Sequence, residues 1–183
     1  DCLITAESTD ELVDTVREVD DADEPLLVIS GGSNLVISDA GFPGTAVHVA
    51  TQGIRVESDD SCGGVNVWVA AGESWDGFVE HAKRVSPTCL VHFEALSGIP
   101  GCAGSTPIQN VGAYGQDVSQ TIAQVRTWDR AAQRVVTFAN ADCAFRYRHS
   151  RFKDETYRGT GRYVVLELQF QLKQASLSAP IAY

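Results

Sequence analysis

Residues 99–115, IPGCAGSTPIQNVGAYG, constrain what this chain can fold into more than any other stretch. Together with the preceding Gly98, they hold Gly101, Gly104, Gly112 and Gly115, with Pro100 and Pro107, around the polar residues Ser105, Gln109 and Asn110. Glycines at this density let backbone N–H groups approach a ligand closely and adopt positive φ. Successive exposed amides form anion-binding concavities that suit a diphosphate. A second glycine turn, Ser30-Gly31-Gly32-Ser33-Asn34, follows the apolar run at 26–29. Two such loops in one short chain point to a nucleotide-type cofactor held from two sides.

Neither loop matches the dinucleotide fingerprint G-x-G-x-x-G or the P-loop G-x-x-x-x-G-K-[ST], so Rossmann and Walker readings fail. A Gly-Gly turn with Ser and Asn commonly just reverses the chain. Its position directly after an apolar strand raises its functional weight. The longer loop is more specific, since long ordered loops are commonly functional. Gln109 and Asn110 offer donors and acceptors for a heterocycle edge or a sugar. Tyr114, flanked by Ala113 and Gly115, serves equally for stacking on a ligand or for local packing.

The formal net charge of −10 argues against nucleic acid as a partner. Eight acids between Asp10 and Glu24 read as a solvated helix face and loop. The bases are also uneven: six of the fourteen Lys and Arg lie between Arg146 and Arg162, where they could face an anionic ligand. Within that segment CAFRYRHSRFK mixes aromatics and bases. It reads either as an amphipathic turn with solvated cations or as a cationic wall for phosphate or carboxylate, to which Arg brings a bidentate fork. Five scattered cysteines without a CxxC pair, and four scattered histidines, give no metal-site spacing and read as packed residues of a reducing cytoplasm. No apolar run is long enough to span a bilayer and no leader is visible. The chain lacks Met, so it reads as a trimmed piece of a longer protein.

The capping box Ser8-x-x-Glu11 and the spacing of Leu12, Val13, Val16 and Val19 predict a helix over 9–19. Strands are expected at 26–29, 35–38 and 45–50, giving a small βαββ-like lobe that ends near Thr51. Beyond Gly53, strands are expected at 54–58 and 65–70, and Ser74 caps a helix with Trp75, Phe78, Val79 and Ala82 on one face. Residues 121–129 and 134–138 read as a hairpin and 163–172 as an alternating strand. The fold class is α+β, with lobes over 1–52 and 53–183.

Three segments, GGSNLVISDAGFPG, LSGIPGCAGSTPIQNVGAYGQDV and CAFRYRHSRFK, resemble in order and spacing the UDP-N-acetylenolpyruvoylglucosamine reductases of bacterial peptidoglycan synthesis. The resemblance covers nearly the whole chain. It implies the two-lobed FAD-binding fold of the vanillyl-alcohol oxidase type. It implies non-covalent FAD, NADPH as co-substrate, a UDP-sugar enolpyruvate as substrate, and a cytoplasmic location. Gly31, Gly32, Ser33 and Asn34 match the family's first FAD loop. Ser97, Gly98, Ile99, Pro100, Gly101, Gly104, Ser105, Gln109, Asn110, Gly112, Ala113 and Tyr114 match the second. Arg148 matches the family's catalytic arginine, which can stabilise a developing enolate. Tyr147 and Arg148 match its substrate contacts. Tyr183 falls, by spacing, where one subclass has a tyrosine that closes on the substrate's diphosphate. The family's catalytic serine segment and late glutamate have no counterpart, which implies that the third, substrate-binding domain is missing and that this piece does not turn over alone. Two other readings stay open: another FAD-linked oxidoreductase of the same fold, and a non-catalytic module for a nucleotide or sugar diphosphate.

Overall fold

A computed structural model describes residues 2–60, 64–85 and 94–172. Its first unit is a parallel sheet of three strands, β1 (Cys2–Ala6), β2 (Leu26–Ile29) and β3 (Thr45–Val49), in the order β1-β3-β2. Helix α1 (Thr9–Asp21) is the crossover from β1 to β2. Ser8 caps it: the Glu11 N–H donates to Ser8 Oγ at 3.2 Å, and the Glu11 carboxylate accepts from the Glu7 N–H at 2.9 Å. The first bond satisfies a donor that the first helical turn leaves open, and the second ties the helix to the residue just before its cap. Leu12, Val16 and Val19 turn inward onto the sheet.

The strand expected at 35–38 does not form. β1 instead supplies the third strand, pairing β3 from Cys2↔Thr45 to Ala6↔Val49. Residues 35–38 leave the glycine turn through a Leu35 N–H bond to the Gly32 carbonyl, and Val36 is fully exposed. Periodicity cannot tell a short apolar run from a strand when no partner edge lies beside it.

The second unit is an antiparallel five-stranded sheet in the order β4-β5-β12-β8-β9. Its first strands are β4 (Ile54–Asp60) and β5 (Gly64–Ala70), followed by α2 (Trp75–Val85). A two-residue pair, β6 (Gly112–Ala113) and β7 (Gln116–Asp117), precedes β8 (Ile122–Asp129) and β9 (Arg134–Ala139). The short helix α3 (Arg151–Asp154) and a second small pair, β10 (Thr156–Tyr157) and β11 (Thr160–Gly161), lead into β12 (Tyr163–Leu172). β12 is the sheet's central strand and is buried along most of its length, pairing β5 on one side and β8 on the other. α2 closes one end of the core, where Phe78 stacks on Phe170 with ring centroids 4.9 Å apart. Phe138, Phe152 and Tyr163 form an edge-to-face trio, with centroids 5.0 to 6.1 Å apart, that fastens α3 to the sheet. Such pairs prefer this tilt because ring edges are positive and faces negative.

Candidate binding cleft

The two glycine loops, far apart in sequence, meet in space. A Cβ built on Gly31 would lie 3.4 Å from the Gly101 Cα, and Ser33 Oγ donates to the Pro100 carbonyl at 3.5 Å. Gly32 and Gly101 have φ of +71° and +123°, backbone conformations open to glycine and strained for other residues. Between and beside the loops runs an open cleft of about 580 Å³. Gly31, Gly32, Ser33 and Asn34 line it from one side. Ile99, Pro100, Gly101, Ser105, Gln109, Gly112 and Ala113 line it from the other, and Arg148 and Lys153 complete its wall.

An apolar cavity of about 250 Å³ adjoins this cleft, sharing Val28, Ile29, Ser30, Ser105 and Ile108 with it. Gly104 lies on the cavity wall, backed against Ala71. Ser30 Oγ is buried at the junction of the two spaces and has no hydrogen-bond partner. A buried hydroxyl without a partner is costly, so this one suits an incoming acceptor or donor.

Other residues expected at the site have different places. Asn110 is buried, with φ +47°, and is occupied internally: its Nδ2 donates to the Arg146 carbonyl at 3.2 Å and its Oδ1 accepts from the Ser119 N–H at 3.1 Å. Ser97 Oγ and the Gly98 N–H both donate to Asp76 Oδ1 at 2.7 Å, tying the start of the loop to α2. Tyr114 and Gly115, both with positive φ, form the tip of the β6–β7 hairpin, the backbone that a two-residue I′ turn requires. Tyr147 is 90% exposed at the tip of another tight turn. Tyr183 lies outside the described residues.

The turn that carries Arg148 is built by reciprocal bonds between Arg146 and His149, at 3.0 and 3.1 Å, with Arg148 at φ +52°. Asn110 holds the turn's first carbonyl. Ser150, fully buried, donates to the Ile108 carbonyl at 2.6 Å. The basic segment is thus docked onto the glycine-rich loop, and the Arg148 Nη2 reaches the Gly112 carbonyl at 2.5 Å. Ser30, Ile108 and Lys153 escape a reading built on polar loop residues. Lys153 had a signal, its place in the basic run, whereas apolar Ile108 had none.

Elsewhere the strongly perturbed groups are structural. Burial pushes the Cys143 thiol up to about 12, so it stays protonated and unreactive. Hydrogen bonding to Arg162 holds the Asp129 carboxyl below its ordinary value. Among the described residues, no group of three or more His, Cys, Asp or Glu is placed to hold a metal, and no helix is long and apolar enough to cross a membrane.

Comparison with known proteins places this geometry. The family model described as FAD binding domain matches residues 1–139. The UDP-N-acetylenolpyruvoylglucosamine reductase of Streptomyces coelicolor is 52% identical over 99% of this chain and 44% of its own length. That of Cutibacterium acnes is 50% identical over 99% of the chain and 46% of its own length. The chain therefore spans about half the length of the curated relatives it matches. Among solved structures, the UDP-N-acetylenolpyruvylglucosamine reductase from Thermus caldophilus aligns with a TM-score of 0.70 at 24% identity, over 94% of this chain and 56% of that one. A p-cresol methylhydroxylase aligns with a TM-score of 0.63 at 15% identity, over 94% of this chain and 35% of that one. These likenesses show the expected fold, that of the vanillyl-alcohol oxidase and p-cresol methylhydroxylase type. The chain belongs to the FAD binding domain family, and the curated relatives it matches carry the name UDP-N-acetylenolpyruvoylglucosamine reductase.

Proposed function

We propose that this chain is the FAD-holding part of a UDP-N-acetylenolpyruvoylglucosamine reductase, which reduces the enolpyruvyl ether of a UDP-sugar at the expense of NADPH. The observation that carries the reading is the meeting of the two glycine loops along one cleft, with Arg148 on its wall. The residues fit a flavin dinucleotide on three counts. The cleft and its apolar annex together suit an elongated ligand with one greasy end. The glycines let backbone amides stand close to a diphosphate. The orphan Ser30 hydroxyl sits where the two spaces join.

In this reading residues 31–34 hold the diphosphate from one side, and Ile99, Pro100, Gly101, Ser105 and Gln109 hold the cofactor from the other. Gly104 lets the loop pack against Ala71, while Asn110, Ser97 and Gly98 fix the loop's shape. FAD, held without a covalent bond, supplies hydride transfer. Arg148 binds the substrate carboxylate and stabilises the negative charge that grows on it as the double bond is reduced, a preorganised electrostatic role. Its bond to the Gly112 carbonyl keeps the guanidinium beside the cofactor loop. Tyr147 and Tyr183 complete the substrate contacts. In this reading the chain works in the cytoplasm as part of a longer enzyme and does not turn over by itself.

The test is a visible absorption spectrum of the purified chain before and after adding FAD. A flavin band that travels with the protein and is released on denaturation supports the reading. A band retained after acid precipitation points instead to a covalently flavinylated oxidoreductase of the same fold. No band and no perturbation on titration overturns the FAD assignment.

A further inference from the structure

Six cations lie between Arg146 and Arg162, and the structure divides them into two sets. Four are matched to carboxylates: Arg146 with Asp154 at 3.1 Å, Arg151 with Glu155 at 2.8 Å, Arg158 with Asp23 at 3.0 Å and Arg162 with Asp129 at 2.7 Å. Arg148 and Lys153 have no carboxylate partner among the described residues, and these same two line the cleft. Arg148 donates to the Gly112 carbonyl and lies over the Tyr147 ring, 5.8 Å from its centroid, and Lys153 donates to the Arg148 carbonyl at 3.5 Å. Lys153 is held there from below, because its neighbour Phe152 is buried in the edge-to-face aromatic trio of the large sheet.

In a chain with formal net charge −10, leaving two adjacent cations without an acid is a selective arrangement. Surface cations gain little from a single exposed pairing. Two converging on one anion in a cleft walled by low-dielectric protein gain more. We infer that Arg148 and Lys153 together form an anion subsite, with Lys153 the second contact for a carboxylate or phosphate group that Arg148 grips. The inference rests on the proposed function for the two sources of that anion, the enolpyruvyl carboxylate of the substrate and the diphosphate of FAD. It does not rest on it for the subsite itself.

Lysine acetylation read by mass spectrometry tests this directly, because the chain has three lysines and Lys83 and Lys173 serve as internal references. The labelling rate of Lys153 is measured alone, with inorganic pyrophosphate, with riboflavin, with FAD, and with FAD plus the enolpyruvyl UDP-sugar. Flavin binding is followed in parallel by absorbance. The expected result is that an anion slows acetylation of Lys153 several-fold while the references hold steady. Where the substrate carboxylate is the anion, Arg148→Gln should weaken that protection by about tenfold in ligand concentration. Protection by FAD but not riboflavin identifies the diphosphate as the anion. Protection that needs the sugar identifies the carboxylate. Protection by pyrophosphate without any flavin binding keeps the subsite and removes the flavin reading. Normal FAD binding with unchanged Lys153 labelling under every condition overturns the subsite and leaves the flavin reading standing.

Discussion

Arg130 and Asp20, 110 residues apart in sequence, form a two-pronged ion pair in which both side chains are almost fully buried. Arg130 Nε donates to Asp20 Oδ2 at 3.0 Å and Nη2 to Oδ1 at 2.7 Å. The remaining nitrogen, Nη1, donates to Thr160 Oγ1 at 2.6 Å and to the Gly161 carbonyl at 2.8 Å. The Asp20 end belongs to α1, beside the parallel sheet. The Arg130 end follows β8 of the large sheet. Arg158 reinforces the joint by donating to the Asp20 carbonyl and pairing with Asp23. The two sheets whose loops make the cleft are thus fastened at one point by a fully satisfied guanidinium.

Breaking that pair from one side leaves an unpaired charge in a buried site. Arg130→Ala should therefore destabilise the protein by about 3–5 kcal/mol, read as a lower urea midpoint. Asp20→Asn should cost a similar amount, because it leaves the Arg130 guanidinium charged and sets the amide NH2 against one of its N–H donors. FAD affinity should fall with Arg130→Ala even under conditions where the variant is folded, since the two loops then lose their fixed spacing. Unchanged stability in Arg130→Ala would remove the joint from the account.

Much of the regular structure was legible because it is encoded locally. Ser8 and Glu11 announce the start of α1, and the alternation of 163–172 announces β12. The glycine loops stood out by their composition, and the structure brings them together along one cleft. The joint was not, since no local pattern pairs Asp20 with Arg130 across 110 positions. Asn110 shows the same limit at the cleft. An asparagine amide serves a ligand or a backbone equally well, and only the position of the Arg146 carbonyl decides between them. Residues 35–38 looked like a strand because Leu, Val and Ile say nothing about whether a partner edge lies beside them. The cationic run could be read two ways, and the structure divides it: four of its cations pair with carboxylates, and two line the cleft.

Two glycine substitutions separate fold from site. A Cβ on Gly104 would lie 2.5 Å from the Ala71 Cβ and 2.9 Å from its Cα and carbonyl oxygen, and no flexible side-chain end can yield there. Gly104→Ala should cost about 1–3 kcal/mol from overpacking, visible as a lower thermal midpoint. A Cβ on Gly31 makes ordinary contact with Gly101 at 3.4 Å. Gly31→Ala should fold with near-normal stability yet bind FAD at least about tenfold more weakly, because its methyl group stands between the two loops. Equal effects of both on folding would contradict this division.

Acid should undo another fixed point. Asp129 accepts from Arg162 at 2.8 and 2.7 Å and from the Ala131 and Ala132 N–H groups at 3.0 and 3.1 Å. Bonding to Arg162 comes first among the causes that lower its value, and burial opposes it. A depressed native value means the unfolded chain takes up the proton first. The stabilisation is therefore complete above the unfolded carboxyl value of about 3.9 and is lost as the pH falls through the native value. Urea unfolding from pH 6 downward should show stability declining below about pH 5, and Asp129→Asn should flatten that decline while lowering stability at pH 7. Parallel curves for the two proteins would show that Asp129 does not carry the effect.

Arg148 offers the sharpest test of chemistry against binding. Its guanidinium stands on the Gly112 carbonyl at the cleft wall, and its backbone holds φ +52° in the Arg146–His149 turn. Under the proposed function it acts on charge that develops only as the substrate is reduced, while the glycine loops do the work of holding FAD. In the full-length enzyme, Arg148→Ala should lower kcat by about 10²–10³-fold, with FAD affinity changed by no more than about threefold. Arg148→Lys keeps the charge but loses the planar fork, so it should recover part of the rate. Arg148→Gly should leave the turn intact, because glycine accepts positive φ without strain; its rate should match that of the alanine variant. A glycine variant much faster than alanine would mean that the alanine defect came from the strained turn rather than from the missing guanidinium, and Arg148 would then be a structural residue.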